Sequence, residues 1–261
     1  MIQKYRALFV SDVHLLSKDS EADLFLHFLD TYESEYLYLV GDIFDFWHLK
    51  KQLYWPQSYG KIIRKIFKKS SNGCKVFYIP GNHDELFKKA DGFNLGNINI
   101  TEKCEYVSLT NKKFLVIHGD IFDPIIACNW LVVNLGSIAY KYLLYLNRSY
   151  NFIRSILGLK KRSLSALIKN KIKRALEYIN RFEHVATMHA KKMGYDGIIC
   201  GHIHRPLINE SNGIIYINTG DFIENCTAIC ENQDGEISIL YFNDISLQKD
   251  SQTNKLAISN V

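Results

Sequence analysis

Five short apolar runs, each followed at once by a polar cluster, constrain the fold of this 261-residue chain more than any other feature. Runs of this length and composition predict buried strands, and they lie at residues 7–10, 36–40, 75–79, 114–117 and 197–200. Helical periodicity at 21–32 and 62–67 separates several of them. Further strands are predicted at 214–218, 227–230 and 236–242, the last two forming a hairpin. The alternation predicts an α/β sandwich with a mixed sheet.

The segment 125–194 differs from its flanks, because it shows long helical periodicity and no strand signal. Residues 163–192 predict one long helix, with Gly194 as its cap. The apolar run 125–146 approaches the length of a membrane span, but polar residues interrupt it. We therefore expect a core over residues 1–124 and 195–249, a helical cap insertion over 125–194, and a disordered tail over 250–261.

Charge is distributed unevenly along the chain. Residues 124–176 hold ten Lys or Arg and no Asp or Glu, although the whole chain has a formal charge of only +5. This segment is also apolar and aromatic, which is unusual for a merely solvated face. The pattern favours an anionic partner: a phosphate-bearing substrate, a membrane surface or nucleic acid.

Cysteine usage and the N-terminus indicate the cellular compartment. The six cysteines form no C-x-x-C pair and no zinc-finger spacing, which is typical of reduced, buried thiols in an intracellular protein. Asp12 interrupts the first apolar run before that run could serve in a signal peptide. We therefore expect a cytoplasmic protein.

Side chains of the types that can bind metals follow all five runs. They are Asp12 and His14, Asp42 and Asp45, Asn82, His83 and Asp84, His118 and Asp120, and His202 and His204. Any one cluster alone is better explained as a turn former or a satisfied histidine. Together they follow the carboxyl ends of strands, where open α/β sheets place their sites. They provide one bridging carboxylate and about three further ligands for each of two metals, and Gly41 and Gly81 are interpreted as allowing sharp turns there.

Other catalytic signatures are missing from the sequence. It has no G-x-S-x-G, no Walker A loop, no G-x-G-x-x-G and no H-E-x-x-H. A serine or cysteine nucleophile is therefore disfavoured. Two cations that lower the pKa of a bridging water and neutralise phosphate oxygens would need no side-chain nucleophile.

The clusters resemble the pattern of the calcineurin-like metallophosphoesterase family: D-x-H, G-D-x-x-D, G-N-H-D/E, H and G-H-x-H. The resemblance covers the core of the chain and implies a sandwich of mixed β-sheets flanked by helices. It implies that one metal is held by Asp12, His14, Asp42 and His204, and the other by Asp42, Asn82, His118 and His202. Resemblance favours manganese, although this ligand set also accepts iron or zinc.

The same resemblance implies roles for three further residues. His83 would donate a proton or hydrogen bond to the scissile phosphate or leaving group, and Asp84 would orient His83. Asp45 would orient a metal-bound or site-lining group.

Four stretches resemble the UDP-2,3-diacylglucosamine diphosphatase group of lipid A biosynthesis: residues 38–47, 118–120, 201–206 and 218–221. The resemblance implies hydrolysis of a UDP-linked glycolipid to UMP and 2,3-diacylglucosamine 1-phosphate, at or near the inner membrane. His83 stands where the best-known branch has Arg, so the chain looks like the second, diphosphatase-like branch. The insertion would hold the acyl chains, with Asn82, His83, Asp123, Lys169, Lys173 and Arg174 as substrate contacts.

Two alternatives stay open from the sequence. A phosphodiesterase or nuclease of the same family would use the basic insertion to hold nucleotides or a nucleic-acid backbone. We do not expect nucleic acid as the partner, because the aromatic residues of the insertion lie among Leu, Ile and Val rather than in a polar stacking groove. A scaffold that has lost catalysis would not need the complete ligand set.

Overall fold

The computed structural model describes residues 3–49, 55–126 and 165–242. The helices are α1 (Ala22–Thr31), α2 (Phe46–Leu49), α3 (Gln57–Ser71), α4 (Asp123–Ile126) and α5 (Ser165–Lys192). The strands are β1 (Gln3–Val10), β2 (Tyr32–Val40), β3 (Lys75–Ile79), β4 (Asn94–Leu95), β5 (Ile98–Ile100), β6 (Lys103–Val107), β7 (Lys113–Ile117), β8 (Gly197–Cys200), β9 (Leu207–Ser211), β10 (Ile214–Asn218), β11 (Thr227–Glu231) and β12 (Ile237–Tyr241).

The strands form two mixed sheets, which confirms the predicted fold class. The larger sheet has the order β12-β11-β1-β2-β3-β5-β4, and its central strands β1, β2, β3 and β5 run parallel. The smaller sheet has the order β6-β7-β8-β10-β9, with β7, β8 and β10 parallel. Of the C-terminal strands, β11 and β12 form the predicted antiparallel hairpin, whereas β10 lies in the other sheet.

Two apolar layers cover the larger sheet, because neighbouring residues of a strand face opposite sides. On β1, Ala7 and Phe9 pack with Phe114 and Ile199 of the smaller sheet. The alternate residues of β1, such as Leu8, pack with α1 and α3. Burial on both faces explains why these strands are continuous apolar runs in the sequence.

The helix α3 has a clear beginning, apolar face and end. Pro56 precedes its first residue, a position at which the missing backbone N–H of proline does no harm. Ile62 and Ile66 lie on its buried face, which packs against α1. The helix ends before Gly73, whose φ of +99° is the left-handed conformation that favours glycine after a helix.

The chain forms two compact units: Met1–Asp120 with Thr187–Val261, and Ile121–Ala186. In the second unit the rings of Phe122 and Phe182 meet edge to face at 5.5 Å. Residues 127–164 of the predicted cap, which include most of the apolar run 125–146, lie outside the described residues, as does the tail 250–261, so the cap and the tail stay predictions. No helix among the described residues is long and apolar enough to cross a membrane.

Candidate metal centre

The loops that follow β1, β2, β3, β7 and β8 bring the predicted ligands together. The titratable side chains of these loops form three groups, and within each group the ligand atoms lie within 4.8 Å of one another. Two groups consist of predicted ligands only, Asp12 with His14 and His204, and Asp42 with His118 and His202, and the third contains His14, Asp45 and His83. His14 Nε2 lies 3.8 Å from carboxylate oxygens of both Asp12 and Asp42, so Asp42 adjoins both groups of predicted ligands.

The two central carboxylates each use one oxygen to hold the loops and turn the other towards the histidines. Asp12 Oδ2 accepts hydrogen bonds from Ser11 Oγ and from the backbone N–H of His202, the latter at 3.0 Å. Asp12 Oδ1 lies 3.2 Å from His204 Nε2. Asp42 Oδ1 accepts a 2.8 Å hydrogen bond from the backbone N–H of His83, while its Oδ2 lies 3.3 Å from His118 Nε2. The backbone therefore orients both carboxylates.

The tautomer of His118 is set by the backbone. Its Nδ1 lies 2.9 Å from the carbonyl oxygen of Val40, which can only accept a hydrogen bond, so Nδ1 carries the hydrogen. In the neutral ring, Nε2 then presents a lone pair to the centre of the site. A histidine that donates one ring N–H to a backbone carbonyl and offers the other nitrogen is a common arrangement for a metal ligand.

Four buried side-chain atoms of the predicted ligands have no hydrogen-bond partner among the described residues: Asp12 Oδ1, His14 Nε2, Asn82 Oδ1 and His118 Nε2. A buried polar atom left without a partner costs about 1–3 kcal/mol. All four belong to predicted ligands and are oxygen or imidazole donors, which suit Mn, Fe or Zn. The residues present therefore fit a centre that binds divalent metals.

Charges alternate across the site. Burial alone would raise the pKa of the Asp42 carboxyl, but the neighbouring His118 outweighs burial and lowers that pKa to about 2. Burial alone would lower the pKa of His14, but Asp12, Asp45 and Asp42 raise it to about 10. The carboxylates are thus held ionised, which is the form that binds a cation.

The backbone of the ligands is strained. Five predicted ligands have φ in the left-handed region: Asp12 (52°), His14 (47°), Asp42 (53°), His202 (71°) and His204 (54°). Non-glycine residues rarely adopt this conformation, and such strain clusters at functional sites. Two backbone hydrogen bonds hold it in place: Asp12 N donates to Gly41 O at 3.0 Å and His14 N to Asp42 O at 2.9 Å.

The glycines of the site provide space as well as freedom to turn. Gly41 has a φ of +84°, as its interpretation as a turn residue requires, but Gly81 does not lie in the left-handed region. At Gly81 an added Cβ would overlap the carboxylate of Asp42 and the ring of His118. The turn at Gly81 therefore does not need left-handed backbone, and the glycine is required because two ligands pack against its α-carbon.

Asp45, rather than Asp84, faces the ring nitrogen of His83. Asp45 Oδ1 lies 3.2 Å from His83 Nδ1, and its Oδ2 lies 3.6 Å from His14 Nδ1, so one buried carboxylate lies beside two imidazoles. Asp84 instead accepts hydrogen bonds from the backbone N–H groups of Ile43 (2.9 Å) and Gly81 (2.6 Å). The predicted orienting role of Asp84 is corrected accordingly: its carboxylate fastens the loops after β2 and β3 together.

Residues around 220 contribute contacts that the spacing of the motifs did not reveal. Ser11 Oγ lies 2.5 Å from Thr219 Oγ1, and Asn225 Nδ2 donates to the backbone oxygen of His204 at 3.1 Å. Asp221 Oδ2 lies 4.0 Å from His204 Nδ1. The stretch 218–221 carries part of the family resemblance, but no periodicity links it to Ser11, more than 200 positions earlier.

The predicted substrate contacts outside the cluster belong to the second unit. Asp123 accepts a 2.7 Å hydrogen bond from the hydroxyl of Tyr178 within the second unit. Lys169, Lys173 and Arg174 lie on α5, but their side chains fall outside the described part of the chain. Their roles stay predictions.

Comparison with known proteins gives consistent results. A model of the family described as calcineurin-like phosphoesterase matches residues 5–206. A UDP-2,3-diacylglucosamine hydrolase from Haemophilus influenzae (strain PittGG) is 26% identical over 249 residues, covering 89% of this chain and 97% of that protein. One from Neisseria meningitidis serogroup B is 27% identical over 229 residues, covering 85% and 92%. Among solved structures, Yfce, a phosphoesterase from E. coli, is 15% identical over 90% of this chain and 98% of that chain, with a TM-score of 0.42, too low to carry an argument.

Proposed function

This chain belongs to the calcineurin-like phosphoesterase family and is a metal-dependent phosphohydrolase, and we propose that its substrate is UDP-2,3-diacylglucosamine. The products would be UMP and 2,3-diacylglucosamine 1-phosphate. The observation that carries the reaction type is the cluster of unpartnered donor atoms at the strand ends. The substrate rests on the names of the relatives, which align over most of their length.

The residues divide between two metal positions. One would be formed by Asp12, His14 and His204, the other by Asn82, His118 and His202, and Asp42 would belong to both. Two divalent metal ions, when bound, supply an activated water nucleophile and neutralise the charge of phosphate oxygens. A ligand set without thiolates supports manganese among the metals that would fit.

His83 contributes the proton or hydrogen bond that the leaving group needs. Its Nε2 lies 4.0 Å from Asp42 Oδ2, so that nitrogen faces the centre of the site. Its Nδ1 lies 3.2 Å from Asp45 Oδ1, which holds the ring in this orientation. When the diphosphate bond breaks, the protonated imidazole gives its Nε2 proton to the departing oxygen and is left neutral.

The cellular setting follows from the substrate. A diacylated sugar nucleotide lies at a membrane surface, so we place the enzyme in the cytoplasm in peripheral contact with the anionic inner membrane. The basic segment 124–176 supports this placement, because basic residues near an anionic leaflet each contribute about 1 kcal/mol of attraction.

The metal-dependent reaction is tested with Asp42→Asn. We expect this variant to lose bound manganese and hydrolysis of bis(p-nitrophenyl) phosphate together, since Asp42 adjoins both groups. Asp234→Asn makes the same chemical change on an exposed hairpin turn and is the control. Two retained metals with near-normal turnover in Asp42→Asn would contradict the ligand assignment.

The substrate is tested by product analysis. Wild-type protein and Asp42→Asn are incubated with UDP-2,3-diacylglucosamine, and mass spectrometry follows UMP and the acylated sugar phosphate. Release of both by the wild type alone is expected. Equal cleavage of UDP-sugars without acyl chains, or nucleotide release from single-stranded RNA or DNA, would instead show a nucleotide phosphodiesterase or a nuclease.

A further inference from the structure

Trp47 combines exposure with close contact to the candidate acid. It is 41% exposed, yet its ring centroid lies only 3.9 Å from that of His83, which is 5% exposed, with 31° between the ring planes. The backbone strengthens the pairing, because the N–H of Phe46 donates to the carbonyl oxygen of His83 at 3.2 Å. An indole that is open to solvent on one side thus covers one face of the imidazole.

The other sides of the His83 ring are also occupied. Asp45 lies at Nδ1, and the ring of His14 meets that of His83 edge to face, with centroids 4.5 Å apart and 83° between planes. The remaining ring nitrogen, Nε2, faces Asp42. Asp45 lies close to one ring nitrogen, but a carboxylate at one nitrogen does not prevent the imidazole from rotating about that contact. The stacked indole opposes that rotation.

We propose that Trp47 is a positioning residue that holds the plane of the His83 imidazole and excludes water from its outer face, so that Nε2 stays directed at the leaving group. This inference rests on the proposed function. Aromatic stacking of this kind changes an equilibrium constant by roughly two- to tenfold. Loss of the indole should therefore reduce proton donation by about the same factor while leaving metal binding unchanged.

Trp55 offers a matched control within the same chain. It is 48% exposed, stacks on Phe44 at 6.4 Å with 17° between planes, and meets Tyr59 edge to face at 5.7 Å. Trp55 therefore resembles Trp47 in its exposed fraction and in having aromatic partners. Unlike His83, however, neither of its partners donates a proton to the leaving group. General effects of removing an exposed tryptophan should appear equally at both positions.

The experiment uses the manganese-loaded full chain and the variants Trp47→Ala, Trp47→Phe and Trp55→Ala. Two diesters are compared: bis(p-nitrophenyl) phosphate, whose leaving group needs little protonation, and diphenyl phosphate, whose leaving group needs more. We expect Trp47→Ala to lower kcat on diphenyl phosphate by roughly two- to tenfold more than on the nitrophenyl ester, with KM and metal content unchanged. Trp47→Phe should restore much of the loss, and Trp55→Ala should match the wild type.

Two results would overturn the inference while the proposed function stands. One is an active wild type and a Trp47→Ala variant whose kcat equals that of the wild type on each of the two esters. The other is a loss that is equal for the two esters, or that appears in KM or metal content, since it would show a general structural role. Absence of metal-dependent turnover in the wild type would overturn the proposed function itself, and this inference with it.

Discussion

Replacing Gly81 with Ala should damage the metal centre, whereas the same replacement at Gly60 should stabilise the protein. An added Cβ at Gly81 would overlap Asp42 Oδ1 and the imidazole of His118. Neither group can move without breaking a contact, because that oxygen accepts the backbone N–H of His83 and His118 is bound to Val40 O. Overpacking of such a site costs about 1–3 kcal/mol.

At Gly60 the same change meets open space. Gly60 lies inside α3, and the nearest atom to an added Cβ is the flexible end of Arg64 at 3.8 Å, an ordinary contact. Alanine in a helix interior is more stable than glycine by about 0.5–1 kcal/mol. One chemical change should therefore have opposite signs at two positions.

The comparison needs two measurements on each variant. Thermal unfolding in the presence of a chelator should show a Tm about 2–12 °C lower for Gly81→Ala and about 1–4 °C higher for Gly60→Ala, since 1 kcal/mol corresponds to roughly 2–4 °C for a protein of about this size. Manganese content after dialysis should fall in Gly81→Ala only. A Gly81→Ala variant that keeps both the wild-type Tm and two tightly bound metals would refute the argument from the packing of Asp42 and His118.

Three further predictions follow from the site and the core. His83→Ala should keep its metal content while turnover of poor leaving groups falls on the order of 10²-fold, measured by metal analysis and steady-state kinetics; metal loss would make His83 a ligand. Glu231→Ala should destabilise the protein by about 1–3 kcal/mol in urea unfolding, because the buried Glu231 carboxylate accepts hydrogen bonds from the half-buried Arg6, 3.0 Å away, and from the backbone N–H of Leu109; an unchanged midpoint would contradict this. Substrates with shorter acyl chains should bind several-fold more weakly per methylene removed, about 0.8 kcal/mol each, whereas Lys169→Ala with Lys173→Ala should weaken binding in a salt-dependent way; equal binding of all chain lengths would exclude an acyl pocket.

Most interior strands could be predicted from the sequence, whereas of the edge strands only β12 was predicted. The runs at 7–10, 75–79 and 197–200 lie within or coincide with β1, β3 and β8, because strands buried on both faces must be apolar throughout. Strand β9 (Leu207–Ser211) pairs along one side only and exposes four of its five residues, so no apolar pattern marks it. The short β4 is likewise exposed and was not predicted.

The residues of the site could be predicted from the sequence for a related reason. Parallel strands place their carboxyl ends at one edge, so Asp12, Asp42 and Asn82 had to lie near one another once the strands were identified. The contacts of Asp84 and Trp47 depend instead on the direction of individual side chains. Sequence spacing does not encode those directions. Only the structure therefore shows that Asp45, and not Asp84, lies beside the ring nitrogen of His83.

The strain in the ligand loops and the burial of the strands are parts of one arrangement. A residue in the left-handed conformation tends to relax unless its surroundings hold it there, and five predicted ligands have that conformation. The loop after β1 is held because β1 is packed on both faces and because Asp12 N and His14 N are hydrogen-bonded to the loop after β2. Each strained loop thus begins at the end of a strand that cannot shift without opening an apolar layer. Burial on both faces makes these strands recognisable in the sequence. The same burial holds the ligands in a strained backbone conformation from which they would otherwise relax.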